Sequence, residues 1–168
     1  MQLDPITNVA KDARILIVDD HEVNTASLGR LLRRAGYAIC ISITDPGEAL
    51  AKFDGIQPDL LLLDWHMEPF SGLDFIEALK NRVPPEEMPP VLVLTADVSP
   101  ATRREALAIG ATDFLSKPFD PSELLLRIRN LLGTRLLHRR LQDYRQELEQ
   151  TLAELRMLRQ AGASPAGL

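Results

Sequence analysis

The chain has almost no cysteine: Cys40 is the single one among 168 residues. One thiol cannot form an internal disulfide, so a disulfide-stapled secreted scaffold is excluded and a reducing, cytoplasmic setting is expected. Cys40 sits in the apolar stretch YAICISI, where it reads as a small packed hydrophobe. Long hydrophobic runs are missing too. None approaches the ~18 residues that span a bilayer. The first residues, MQLDPITNVAKD, lack the apolar core of a signal peptide. No excess of positive charge exists: 19 Lys+Arg stand against 24 Asp+Glu, net -5. Residues 120–168 hold 8 basic and 6 acidic side chains, so the acidity is concentrated in the rest of the chain. An acidic body argues against nucleic acid as its main partner. The three histidines, His21, His66 and His138, have no zinc-site spacing. No solenoid repeat is present.

What is there is an ordinary globular composition, 45% hydrophobic and 26% charged. Short apolar runs alternate with helical patterns. Residues 1–13 read as a flexible lead-in. Strands are expected at Ile15–Val18, Tyr37–Ile43, Leu60–Leu63, Val91–Leu94 and Asp113–Leu115. Between them lie helices from Val23 to Ala35 (stopped by Gly36), from Asp45-Pro46 through about Phe53, over Leu73–Leu79, and from Ser99-Pro100 to Ile109 (ended by Gly110). Asp120-Pro121 opens the last helix. Five β-α units predict an α/β fold: a doubly wound, five-stranded parallel sheet covered on both faces.

In such sheets, ligands sit at the carboxyl ends of the strands. Asp19 and Asp20 close RILIVDD, Asp64 closes PDLLLLD, and Lys117 follows ATDFLSKPF. The topology would gather three carboxylates and one cation at a single edge. Crowded carboxylates repel unless a cation joins them, and a hard divalent ion such as Mg2+ is the natural partner. The plainer reading, helix caps alone, does not account for Asp64 and Lys117 falling in the same place.

These segments resemble the receiver domain of two-component response regulators, over roughly residues 13–132. IVDD at Ile17–Asp20 resembles its acidic pair, LLLDWHM at Leu61–Met67 its phosphoacceptor strand, VLTA at Val93–Ala96 its switch-threonine strand, and DFLSKPF at Asp113–Phe119 its lysine-proline segment. The resemblance implies the flavodoxin-like (βα)5 fold. Asp64 would be the nucleophile that takes a phosphoryl group from a histidine kinase or phosphotransfer protein. Asp20 and Asp64 would bind Mg2+ directly, Asp19 through a water, and the backbone carbonyl of His66 would complete the protein ligands. Lys117 would contact a phosphate oxygen, and Thr95 would donate its hydroxyl once phosphate arrives. Phe114 would turn inward on activation. His66 and Asp97 would tune how long the phosphate survives. Lys117-Pro118 would be cis. One departure stands out: Glu68 occupies a place where the family usually has proline, and Pro69 follows it.

The last helix outruns the domain. From Ser122 to about Gln160 only Gly133 interrupts it, so it would reach ~60 Å at ~1.5 Å per residue. Leu137, Leu141, Tyr144, Leu148, Thr151, Leu155 and Leu158 are spaced 4-3-4-3-4-3, a heptad seam. A parallel homodimer is expected, with Glu154 facing Arg159 favourably and Arg140 facing Arg145 badly. The reading is therefore a receiver over 14–132, a coiled-coil helix over 133–160 and a flexible tail over 161–168. This extension resembles signalling helices that join receivers to outputs, although no helix-turn-helix, GGDEF or HD-GYP stretch is present. Two rivals are a scaffold that binds partners without phosphorylation and a haloacid-dehalogenase-like phosphatase. The latter wants an aspartate where His66 stands.

Overall fold

The protein is described by a computed structural model covering residues 10–97 and 99–162. Five strands, β1 (Arg14–Val18), β2 (Ile39–Ile43), β3 (Leu60–Asp64), β4 (Val91–Thr95) and β5 (Asp113–Ser116), form one parallel sheet in the order β2-β1-β3-β4-β5. The helices between them are α1 (Glu22–Arg34), α2 (Pro46–Ile56), α3 (Gly72–Lys80) and α4 (Pro100–Ala108), and α5 (Pro121–Gly162) follows β5. The expected doubly wound fold is thus present.

The strands are continuous apolar runs because both of their faces are covered. Every residue of central β3 and β4 is buried, while edge strands β2 and β5 are only partly so. Side chains alternate between the faces. Leu16, Val18, Leu61, Leu63, Val91 and Val93 pack with Phe53 of α2 and with Phe75, Ile76 and Leu79 of α3. Ile15, Ile17, Leu60, Leu62, Leu92 and Leu94 pack with Leu28 and Leu32 of α1 and with Leu124, Ile128 and Leu132 of α5.

Local signals set the helix ends. Asp45 accepts the Glu48 N–H at 2.7 Å with Pro46 in the first turn, and Ser71 with Asp74 forms a reciprocal capping box. Gly36 ends α1 at φ 97°, a backbone region that glycine enters without strain. Tyr37, read from sequence as strand, instead completes that turn: its N–H donates to the Leu32 carbonyl at 3.1 Å. Ala10–Asp12, read as part of the flexible lead-in, forms a 3-10 turn, and the Lys11 carbonyl accepts the Ala38 N–H at 3.0 Å. The first nine residues and the last six lie outside the described residues.

Helix α5 has 42 residues and passes through Gly133 unbroken. Its first part buries Leu124, Ile128 and Leu132 at four-residue spacing. From Leu137 onward the seam leucines and Tyr144 are exposed, and Leu152 is exposed beside them. Since α5 returns antiparallel to the strands, its projecting half leaves from the edge where the strands begin.

Candidate functional site at the strand carboxyl ends

Parallel register brings the ends of β1, β3, β4 and β5 to one edge. Val18 pairs with Leu63, Asp64 with Leu94, and Thr95 with Ser116. Asp19 follows β1 and Lys117 follows β5, so both reach the end of β3. The Lys117 ammonium donates to Asp64 Oδ1 at 2.7 Å and to Asp19 Oδ2 at 2.9 Å. Asp19 is the most enclosed of the acids. It also accepts the His21 N–H at 3.0 Å and both of its oxygens accept from the Asn24 amide, at 2.9 and 3.0 Å. Asn24 follows Asp19 by five residues, on the first turns of α1. The DDHEVN spacing carried that signal, but a single asparagine in a helix does not announce it. Asp20 turns outward to His21 Nδ1 at 2.7 Å.

Burial pushes the Asp64 carboxyl above the usual aspartate range. The hydrogen bond and charge of Lys117 pull the other way, and the charges of Asp19 and Asp20 add to the rise. For Lys117, burial would lower the pKa, but the hydrogen bonds and charges of Asp64 and Asp19 outweigh it and the net direction is upward. The ammonium therefore stays charged, and it is shared between two carboxylates.

Thr95 ends β4 fully buried. Its Oγ1 accepts the Asp97 N–H at 3.0 Å and lies 3.3 Å from His66 Nδ1. It does not bond to Asp64 in this arrangement. Asp97 accepts the Ser99 N–H at 2.8 Å and the Thr102 hydroxyl at 2.5 Å, and these bonds hold its carboxyl below the usual range. Phe114 lies away from the pocket, half-buried, with the Arg103 guanidinium 5.6 Å above its ring. Sequence reasoning did not foresee that contact, because the two residues are joined only by packing.

The loop after β3 is tight. The Gly72 N–H donates to the Trp65 carbonyl at 3.0 Å, and a Cβ at Gly72 would come within 2.7 Å of the Asp64 carbonyl oxygen. Lys117-Pro118 is cis, as expected, and so is Glu68-Pro69, which was not. An open pocket of about 600 Å3 adjoins the acids, lined among others by Asp20, Trp65, His66 and Glu68. The seam residues Leu137, Leu141, Tyr144, Leu148, Leu155 and Leu158 lie on the projecting part of α5 and take no part in this site.

Among the described residues, Asp19, Asp20 and His21 offer ligand atoms within 4.8 Å of one another. Asp64 stands outside that trio, tied to Asp19 by Lys117. A donor set of carboxylate oxygens fits a hard cation such as Mg2+. Among the described residues no helix is long and apolar enough to cross a membrane.

Comparison with known proteins agrees with this fold. A family model described as the response regulator receiver domain matches residues 15–129. The sensory transduction protein RegX3 of Mycobacterium tuberculosis is 36% identical over 118 residues, covering 70% of this chain and 50% of RegX3. The phosphate regulon regulator PhoB of Pseudomonas aeruginosa is 34% identical over 118 residues, covering 70% and 51%. The chain spans about half the length of these curated relatives. The solved structure of the chemotaxis protein CheY4 of Vibrio cholerae superposes with a TM-score of 0.65 at 32% identity, covering 71% of this chain and 98% of that one. With a family model matching residues 15–129, relatives above 30% identity over most of its length and a shared fold, the chain belongs to the receiver domain family of two-component response regulators.

Proposed function

We propose that this chain is a phosphorylation-controlled switch in which Asp64 accepts a phosphoryl group from a histidine kinase or phosphotransfer protein in the cytoplasm. The observation that carries this reading is the Asp64 carboxylate at the carboxyl end of β3, 2.7 Å from the Lys117 ammonium. In the transfer, an Asp64 oxygen bonds to phosphorus as the bond from phosphorus to the donor histidine breaks, and the imidazole leaves. Mg2+ bound here would offset charge on the carboxylates and on the transferred group. Asp20, Asp64 and the His66 carbonyl would hold it directly and Asp19 through a water. Lys117 orients the incoming group as a point charge. Thr95 exchanges its contact with His66 for one with the phosphoryl oxygen, and Phe114 leaves Arg103 as it turns inward. His66 and Asp97, which together hold Thr95, set how long the modified state lasts. Water then releases phosphate and restores the carboxylate.

Residues 14–132 act as the receiver and 133–160 as a dimerising helix. The second reading concerns that helix. Its exposed apolar stripe from Leu137 to Leu158 keeps heptad spacing, which a second copy of the chain would cover in parallel, with Glu154 meeting the other copy's Arg159.

Incubation with acetyl phosphate and Mg2+, followed by intact-mass measurement, tests the switch. One phosphoryl adduct is expected in the unaltered chain and none in Asp64→Asn. An adduct that persists in Asp64→Asn sinks the proposal, and no adduct in either chain points to a phosphorylation-independent scaffold. For the dimer, Leu141→Asp with Leu148→Asp should sediment as a monomer where the unaltered chain sediments as a dimer.

A further inference from the structure

The exit of α5 and the phosphorylation site lie at opposite edges of the sheet. A five-residue strand at ~3.3 Å per residue separates them by ~17 Å. The projecting helix therefore cannot touch the site, and whatever joins them passes through the body of the domain.

Two arginines one turn apart make that junction. Arg139 bonds to the carboxylate of Asp59, which is 5% exposed and stands immediately before β3. The same carboxylate accepts the Arg14 N–H at 2.9 Å, and the Asp59 N–H donates to the Arg14 carbonyl at 2.8 Å. Asp59 thus joins the starts of β1 and β3 to the helix. Arg135 reaches the carbonyls of Glu86 at 3.3 Å, Glu87 at 2.7 Å and Met88 at 3.2 Å, in the segment leading into β4. The strands so gripped are the three whose far ends lead into Asp19, Asp64 and Thr95. No side-chain hydrogen bond among the described residues ties α5 to the body beyond Arg139.

We propose that Arg135 and Arg139 are positioning residues that register the projecting half of α5 on the starts of β1, β3 and β4, and so pass the state of the Asp64 end to the helix. The transmission half of this proposal rests on Asp64 being the phosphoacceptor; the clamp does not. The grip suits a contact that shifts. Arg135 meets carbonyls and no carboxylate, and its Nε is buried without a partner. Burial, and then the like charge of Arg139, hold its pKa below the usual arginine range. Arg139 keeps one face toward an open cavity of about 420 Å3 that gives its side chain room to move.

Hydrogen exchange of the full chain, read by mass spectrometry at one protein concentration, tests this with and without beryllofluoride and Mg2+ as a phosphoryl analogue. In the unaltered chain, the analogue should change exchange across residues 134–146 by about twofold or more. In Arg139→Met, exchange there should rise severalfold without analogue, and the response to analogue should vanish. The midpoint of the Trp65 fluorescence response should shift by no more than the factor by which the analogue alters the helix, because coupling between the two ends is reciprocal. Arg139→Lys, which keeps a cation on Asp59, should restore part of the helix response. A normal response in Arg139→Met overturns the proposal. So does a helix that ignores the analogue while Trp65 responds. Failure of Trp65 to respond in the unaltered chain counts against the phosphoacceptor reading instead. The exchange without analogue then still decides the clamp, which is wrong if Arg139→Met leaves it unchanged.

Discussion

Strand β3 has a buried aspartate at each end, and the two are matched by cations in opposite ways. Asp59 at its start has one guanidinium and one backbone N–H for one carboxylate. Asp64 at its end shares a single ammonium with Asp19, while Asp20 stands beside them. Charge is balanced at the first end and short of positive charge at the second. Burial is nearly equal, 5% against 6% exposure, so burial is not what distinguishes structure from chemistry here. On the proposed function, the unmatched carboxylates are what would make the second end receptive to a metal ion and a phosphoryl group.

The largest effect should come from breaking the balanced end. Asp59→Ala leaves Arg139 and the Arg14 amide without their acceptor and should destabilise the protein by about 3 kcal/mol in urea unfolding. A loss no greater than that of an ordinary surface substitution would erase the contrast. Next, Mg2+ at about a hundredfold its dissociation constant should stabilise the unaltered chain by about 2.7 kcal/mol over the same chain in chelator. Asp59→Ala should gain the same increment, and Asp64→Ala less than half of it. A smaller effect of opposite sign is expected without metal: Asp64→Ala relieves carboxylate crowding and should leave stability unchanged or raise it by about 1 kcal/mol.

The smallest effect is on titration. In metal-free protein, the Asp64 carboxyl should titrate above the usual ~3.9, followed by carboxyl carbon NMR. Lys117→Met should push it further up, since Lys117 opposes the rise. A folded-state pKa above the unfolded one means that the native protein holds the extra proton. The contribution of Asp64 to stability therefore falls as pH rises from the usual aspartate value through the raised one. Asp97, whose pKa is lowered, acts in reverse: its contribution is present above the usual value and is lost as pH falls through the lowered one. If Lys117→Met lowered the Asp64 titration, the ammonium would not be the group that offsets its burial.

The acidic end was legible in the sequence because each of its charges terminates an apolar run, and parallel strands must align such ends. The balanced end was not. Asp59 and Arg139 are 80 residues apart, and each looks like an ordinary solvated charge until the helix is seen to pass beneath the sheet. Strand and helix identities followed from periodicity, whereas boundaries slipped where a cap decided them, as at Tyr37. The partners of Thr95 and Phe114 were invisible for a related reason. Contacts with His66 and Arg103 depend on loop and helix placement, which pattern alone does not set. The seam was read as a single row, while Leu152 widens it to a stripe, a matter of exposure more than of spacing.

The unbroken course of α5 has a mechanical consequence. From Arg139 to Gly162 the helix is a stiff rod of roughly 35 Å at ~1.5 Å per residue, pivoting on two side chains. A tilt of only about 10° at that fulcrum would sweep its tip through roughly 6 Å, so an adjustment of about 1 Å where the two arginines grip would become a displacement large enough to alter which neighbour the rod meets.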